Sequence, residues 1–350
     1  MPPPFWSYVD AILNVANLER TFDSIQDPIR FWLECKCNPG LSLSEVMDVG
    51  ASPVLYELLA EMGQGSFGKV YKARELGERG RLLTVKKFQF CSESSLSSGN
   101  NGIPPHMLRE VALLCRMKYF DHPNVVKLLD AGAMLVGKVL DLNLVLEYID
   151  QDLSTYLSRA SPSGLSRDDI KAVMQQLMRG LDFLHVNMVL HRDLKPENVL
   201  VSSSGLVKIA NFGLACLYTF NTAFTPGVVT LWYRAPEVLL NSVYMSSVDV
   251  WSAGCIFAEL FLLKPLFKGF SEAQQLQIIF EFIGLPGEDE WPQDSPVTYS
   301  LSLGPKEPSP LLLLSLNLDE RDLLLQCLTF TPSRRISAAG ALAHPFFSQH

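Results

Sequence analysis

The segment His191-Arg192-Asp193-Leu194-Lys195-Pro196-Glu197-Asn198 constrains this chain more than any other, because it gathers a carboxylate, an ammonium and an amide oxygen into one short polar run. It follows a helical pattern over Ile170 to His185. A chance polar turn after a helix does not account for His, Arg, Asp, Lys and Asn at these offsets. Thirteen residues after Asn198 stands Asn211-Phe212-Gly213, whose first side chain offers a neutral amide where a metal would favour a carboxylate.

A second motif, Gly63-Gln64-Gly65-Ser66-Phe67-Gly68, has the form G-x-G-x-x-G, whose missing side chains let backbone amides approach phosphates. In a dinucleotide-binding βαβ unit the third glycine opens a helix. Here Lys69-Val70-Tyr71-Lys72-Ala73 continues as a strand, which favours a flap over a nucleotide. Lys86 sits in the next strand at a spacing suited to the α- and β-phosphates, and Glu110 on the following helix is placed to pair with it.

Composition fits a soluble, two-lobed enzyme: 350 residues, 48% hydrophobic and 19% charged. The net charge of -8 argues against nucleic acid or an anionic membrane as direct partner. The seven cysteines are scattered and odd in number, which speaks against a disulfide framework and for a reducing compartment. Cys35 and Cys37 lack the second pair that a zinc site needs. No apolar run reaches the roughly 18 residues of a membrane span, and the start Met1-Pro2-Pro3-Pro4-Phe5-Trp6 does not read as a secretory signal.

Residues 1–54 read as an N-terminal extension, either a docking helix over Val9 to Phe22 or a poorly ordered segment. A domain over 55–348 follows, with a small lobe at 55–149 and a large one at 150–348. Strands are expected within Tyr56 to Arg74, over Arg81 to Phe90 and over Leu142 to Ile149, and a helix over Pro105 to Met117 after the polar loop Ser92 to Pro105. Asp150-Gln151-Asp152 reads as the hinge. Helical patterns cover Ile170 to His185, Ser247 to Phe261, Ala273 to Ile283 and Glu320 to Leu328, and residues 285–310 read as an irregular excursion.

Over roughly residues 55–348 the chain resembles the eukaryotic protein kinases, more narrowly the cyclin-dependent kinases, and within these the branch activated by D-type cyclins. The narrower resemblance rests on Gln151-Asp152-Leu153-Ser154-Thr155-Tyr156-Leu157, Val228-Val229-Thr230-Leu231-Trp232-Tyr233-Arg234-Ala235-Pro236-Glu237, Lys264-Pro265-Leu266-Phe267, Ile283-Gly284-Leu285-Pro286-Gly287, and Leu328-Thr329-Phe330 with Arg335-Ile336-Ser337. It implies an α+β bilobal fold, with a small antiparallel sheet and one helix in the N-lobe and a mainly helical C-lobe. It also implies ATP with Mg2+, phosphorylation of Ser/Thr-Pro sites in proteins, a D-type cyclin and ankyrin-repeat inhibitors as partners, a role in the cell cycle, and residence in nucleus and cytoplasm.

Residue by residue, the resemblance makes Asp193 the acceptor of the substrate hydroxyl proton, Lys195 the charge partner of the transferred phosphoryl group, and Asn198 and Asn211 the metal ligands. The nucleotide set is Gly63, Gly65, Gly68, Val70, Lys86, Glu110, Glu147, Ile149 and Asp152. Thr225 is the activating phosphorylation site, met by Arg109 and Arg192. Pro104 to Glu110 occupies the cyclin-binding helix, with a Pro-His-Met stretch that departs from the family. The resemblance also implies that Val229 turns its carbonyl from the peptide and so selects proline, which has no N–H to leave unpaired. Glu237 and Arg335 are expected to pair inside the large lobe.

The chain also departs from the family elsewhere. Asn211 replaces the metal-binding aspartate, Cys216 an arginine of the phosphate pocket, Phe67 a phosphorylatable tyrosine, Thr84 an alanine over the adenine, and Leu146 a phenylalanine behind it. The reading is a proline-directed serine/threonine kinase impaired at Asn211. The alternative is a weak or inactive pseudokinase that sequesters a cyclin or an ankyrin-repeat inhibitor, against which the complete catalytic loop stands.

Overall fold

The computed structural model describes residues 54–65, 68–77, 80–91, 113–114, 121–136, 139–161, 163–217, 230–305 and 311–348. The chain divides into two units: Met1–Ala112 with Leu129–Leu146, and Leu113–Leu128 with Glu147–His350. The expected helices over Val9 to Phe22 and Pro105 to Met117, apart from Leu113 and Leu114, lie outside the described residues, as do Arg109, Glu110, Thr225 and Val229.

The first unit is built on strands β1 (Tyr56–Gly65), β2 (Gly68–Glu75), β3 (Leu82–Cys91), β4 (Leu128–Val136) and β5 (Val139–Glu147), in the order β1-β2-β3-β5-β4. β1 and β2 pair antiparallel, as do β2 and β3. Alternation along β3 sends Leu83 and Val85 inward, where they pack with Ala73 and Val145 into a small core edged by Val54, Tyr56 and Leu129. Two register shifts, between Leu58 and Ala60 and between Glu61 and Gly63, bend β1 just before the glycine motif.

The second unit is mainly helical, with α1 (Leu153–Ser158), α2 (Arg167–Val186), α3 (Pro236–Leu239), α4 (Ser247–Leu262), α5 (Glu272–Ile283), α6 (Leu318–Cys327), α7 (Ala338–Leu342) and α8 (Pro345–Ser348). Every residue from Val248 to Leu260 is buried, so α4 is a core helix packed on all sides, with Asp249, Ser252 and Glu259 as its buried polar groups. α2 buries the stripe Ile170, Val173, Met174, Leu177, Met178, Leu181 and Leu184. It starts three residues before the expected point, because its first turn, Arg167-Asp168-Asp169, is polar and shows no periodicity. The start is set by Ser166, whose hydroxyl accepts from Asp169 N at 3.0 Å. α6 likewise begins early, on a reciprocal cap between Asn317 and Glu320. Residues 285–305 form short 3-10 turns, Glu288–Glu290 and Leu301–Leu303, as the Pro/Gly/Ser content predicts. Among the described residues no helix is long and apolar enough to cross a membrane.

The α+β expectation is met by a sheet unit and a helical one. Short strands complete the second unit: β6 (Gln151–Asp152), β8 (Val199–Val201) and β9 (Val207–Ile209) form one sheet, and β7 (Val189–Leu190) pairs with β10 (Cys216–Leu217). β5 ends at Glu147, so Ile149 is buried just beyond the strand rather than in it.

Glu237 and Arg335 pair as the sequence suggests. Arg335 donates Nη1 to Glu237 Oε1 at 2.7 Å and Nη2 to Oε2 at 2.9 Å, with both side chains removed from water. Its remaining N–H groups reach Thr329 O, Phe330 O and Ser247 O, and its guanidinium lies 5.1 Å from the Trp251 ring. Arg335→Ala leaves Glu237 charged and unpartnered in the core, and is expected to cost about 3–5 kcal/mol. Urea denaturation of the two proteins measures this.

Candidate active site

The catalytic loop lies between β7 and β8, and one buried carboxylate fixes its backbone. Asp249, in the first turn of α4, accepts from His191 N at 3.0 Å and from Arg192 N at 2.9 Å, while His185 Nε2 stands 3.0 Å from its Oδ2. Burial alone pushes the Asp249 carboxyl up, but the bonds from His185 and the His191 amide outweigh it and hold the group below the ordinary aspartate range. These bonds offset the left-handed backbone of Arg192, whose φ is 62°.

Asp193, next in the chain, is nearly buried and has partners for both oxygens. Its Oδ1 accepts from Thr230 Oγ1 at 3.1 Å and Thr230 N at 3.3 Å, and its Oδ2 accepts from Asn198 Nδ2 at 2.9 Å. Lys195 Nζ stands 3.4 Å from Asp193 Oδ2 and donates to Thr230 Oγ1 at 2.8 Å.

The β8–β9 hairpin brings the two asparagines together. Its register pairs Val199 with Ile209, so Asn198, before β8, lies beside Ala210 and Asn211, after β9. Ala210 N donates to Asn198 O at 2.9 Å, and Asn211 Nδ2 donates to Asn198 Oδ1 at 3.0 Å. Asn211 has φ 64°, a left-handed conformation that asparagine tolerates better than most residues. Phe212 is fully buried, 5.4 Å from the His191 ring, and His191 Nε2 lies 2.9 Å from Ala210 O.

Of the residues expected to contact nucleotide in this unit, Glu147 and Asp152 have their carboxylates engaged elsewhere. Glu147 Oε1 accepts from Lys127 N at 2.7 Å and pairs with Lys208 Nζ at 2.7 Å. Asp152 caps α1, accepting from Thr155 N and Thr155 Oγ1, each at 2.8 Å. Arg192 donates Nε to Leu214 O at 2.8 Å and Nη1 to Tyr244 Oη at 3.4 Å. Cys216 stands half-buried on β10, opposite Leu190.

In the first unit the glycine motif spans a strand-to-strand connection. Gly63 pairs with Val70 and Gly65 with Gly68, while Ser66 and Phe67 lie outside the described residues. Gly63 and Gly68 differ in what surrounds them. A Cβ on Gly63 meets nothing, whereas one on Gly68 would collide with the Lys87 carbonyl and the buried Phe88 ring. Gly68 is thus needed by the packing of β2 on β3. Val70 pairs with Lys86, whose Nζ lies 5.2 Å from the Phe88 ring, and the half-buried Thr84 pairs with Lys72. A strand after Gly68, in place of a helix, excludes the dinucleotide-binding alternative.

The sequence profile described as the protein kinase domain matches residues 56–347. A protein named cyclin-dependent kinase 4 from Xenopus laevis is 51% identical over 296 residues, 84% of this chain and 90% of that one. Its namesake from Ovis aries is 50% identical over 294 residues, covering 83% and 95%. The Caenorhabditis elegans protein named cyclin-dependent kinase 4 homolog is 40% identical over 305 residues, covering 86% and 73%.

This chain belongs to the cyclin-dependent protein kinases. It is a serine/threonine kinase of the cell-cycle type. Membership implies ATP as substrate and magnesium as the usual metal. The donor set of this kinase fits that metal poorly. Asn198 and Asn211 supply neutral amides where magnesium favours carboxylates, and Asn211 presents nitrogen, not oxygen, to Asn198 Oδ1. Among the described residues no three His, Cys, Asp or Glu side chains converge as ligands.

Sequence reasoning did not single out Thr230 and Asp249, which touch Asp193 or the backbone beside it. Thr230 follows Val229 directly within the motif, and Asp249 is the one acid in an otherwise apolar and small stretch, Ser246 to Ala258; both were available signals. Because the Asp249 pKa is depressed on folding, its contribution to stability is complete above the unfolded value of about 3.9 and is lost as pH falls through the folded value. The expected outcome is that Asp249→Asn lowers the urea midpoint at pH 7 and that the difference from the natural protein shrinks below about pH 4. Urea midpoints across pH 2.5–7 check it.

Proposed function

We propose that this kinase, bound to a D-type cyclin, transfers the γ-phosphoryl group of ATP to serine and threonine hydroxyls followed by proline, at a rate lowered by Asn211. The reading is carried by Asp193, whose carboxylate is oriented by Thr230 on one oxygen and Asn198 on the other. Its remaining lone pairs take the substrate hydroxyl proton as that oxygen bonds to the γ-phosphorus and the bond to the bridging oxygen of ADP breaks. Lys195, 3.4 Å from Asp193, meets negative charge on the moving phosphoryl group. Lys86 and the backbone of Gly63, Gly65 and Gly68 are the proposed phosphate contacts.

Thr225 is the proposed activating phosphate site, engaged by Arg109 and Arg192, and Cys216 removes the third cation from that pocket. Val229 is the proposed selector of proline. The cyclin partner is supported by the names of the relatives, and the cell-cycle setting fits the family. An ankyrin-repeat inhibitor as second partner, and residence in nucleus and cytoplasm, rest on the family resemblance alone. The non-catalytic, sequestering alternative gains no support from relatives named as kinases.

Transfer of labelled phosphate from Mg-ATP to a Ser-Pro peptide tests the proposal, with cyclin-bound, Thr225-phosphorylated protein beside Asn211→Asp and Asp193→Ala. Turnover of the natural protein is expected above the Asp193→Ala background, and Asn211→Asp is expected to raise it roughly ten- to a hundred-fold. Background-level turnover in both the natural protein and Asn211→Asp would overturn the reading.

A further inference from the structure

Asn211 does more than remove a charge. A carboxylate at this position would set an acceptor against the Asn198 oxygen, and only a cation or a bridging donor offsets two facing acceptors. The amide is itself that donor, with its Nδ2 3.0 Å from Asn198 Oδ1. Asn198 then passes the interaction on, donating its own Nδ2 to Asp193 O at 2.6 Å and Asp193 Oδ2 at 2.9 Å.

We infer that Asn211 is a positioning residue that replaces the metal as the link between the Asn-Phe-Gly turn and the catalytic loop, holding Asp193 in place through Asn198 with no ion present. Three further features of the turn support the link. The left-handed backbone at Asn211 suits asparagine, the Ala210 amide is bonded to Asn198 O, and Phe212 is locked in the core. The link also occupies the Asn198 oxygen that an ion would require. A divalent ion arriving alone must therefore break a hydrogen bond to gain two neutral oxygens, and it binds with little net advantage. The side-chain link between the turn and the catalytic loop therefore needs no metal in this kinase, whereas an aspartate at position 211 would leave two acceptors facing one another until a cation joined them.

The inference rests on the kinase reading only for the identity of the metal. Its readout needs no turnover, so a failure of phosphotransfer leaves it standing. Thermal unfolding of the full chain, without nucleotide, is followed in EDTA and in millimolar magnesium chloride for the natural protein and Asn211→Asp. The natural protein is expected to show the same Tm in both buffers. Asn211→Asp is expected to melt about 2–4 °C lower in EDTA and to recover in magnesium, a metal-dependent rescue that a purely structural role does not produce. A magnesium shift in the natural protein as large as that of the variant, or a variant as stable as the natural protein in EDTA, overturns the inference. Should the variant fail to fold, the natural protein alone decides. With 15N-labelled asparagine, every side-chain amide correlation is expected to stay unmoved by magnesium, and movement of any of them contradicts the proposal.

Discussion

The catalytic half of this kinase hangs on one carboxylate taken out of water beneath the loop that needs it. Asp249 sits in the first turn of the most buried helix of the unit, where α4 packs on all sides, so its position is set by the core and not by the site. Two consecutive backbone amides, those of His191 and Arg192, converge on its two oxygens. That pairing compensates the left-handed conformation of Arg192, and the reversal of the chain there turns Asp193 toward Thr230 and Asn198. Every later contact in the site assumes this turn. The bond between Asn198 and Asp193, the approach of Lys195, and the seating of His191 against Phe212 all depend on where residues 191–193 run.

The second support is the β8–β9 hairpin, which brings Asn198 and Asn211 side by side although thirteen residues separate them. The family places a metal between these positions. Here the two side chains satisfy one another, so the substitution that weakens the site for a cation also removes the acceptor clash that a cation would otherwise have to relieve. Loss of charge and gain of a direct hydrogen bond come from the same change of atom. Restoring aspartate therefore reverses both effects: it offers magnesium a better ligand and withdraws the direct link between the turn and the catalytic loop.

Much of this was legible in the sequence, and the physical reasons for the rest are specific. The strands about the glycine motif and the long helices were visible because their apolar residues repeat at the period of the element, as in the Ile170, Val173, Met174 and Leu177 stripe. Starts were less legible where the first turn is polar: Ser166 and Asn317 cap α2 and α6 through side-chain oxygens that periodicity does not register. Asp193, Lys195, Asn198 and Asn211 were found by their spacing, yet spacing carries no information on which amide atom faces which, and that decides how the pair treats a metal. Asp249 was passed over because an isolated acid in an apolar stretch adds nothing to a motif, although its burial makes a partner obligatory. Gly68 was read as a phosphate-approach residue, and the structure adds a packing demand from Lys87 and Phe88 that only three-dimensional proximity reveals.

Amide hydrogen exchange at His191 and Arg192 tests most directly whether Asp249 governs the site. In the natural protein both amides are expected to exchange only through global unfolding, with protection equal to that of the α4 core, and in Asp249→Asn to exchange faster by at least tenfold relative to α4. Protection of the two amides at the level of exposed loops in the natural protein, or protection unchanged relative to α4 in the variant, would contradict the account.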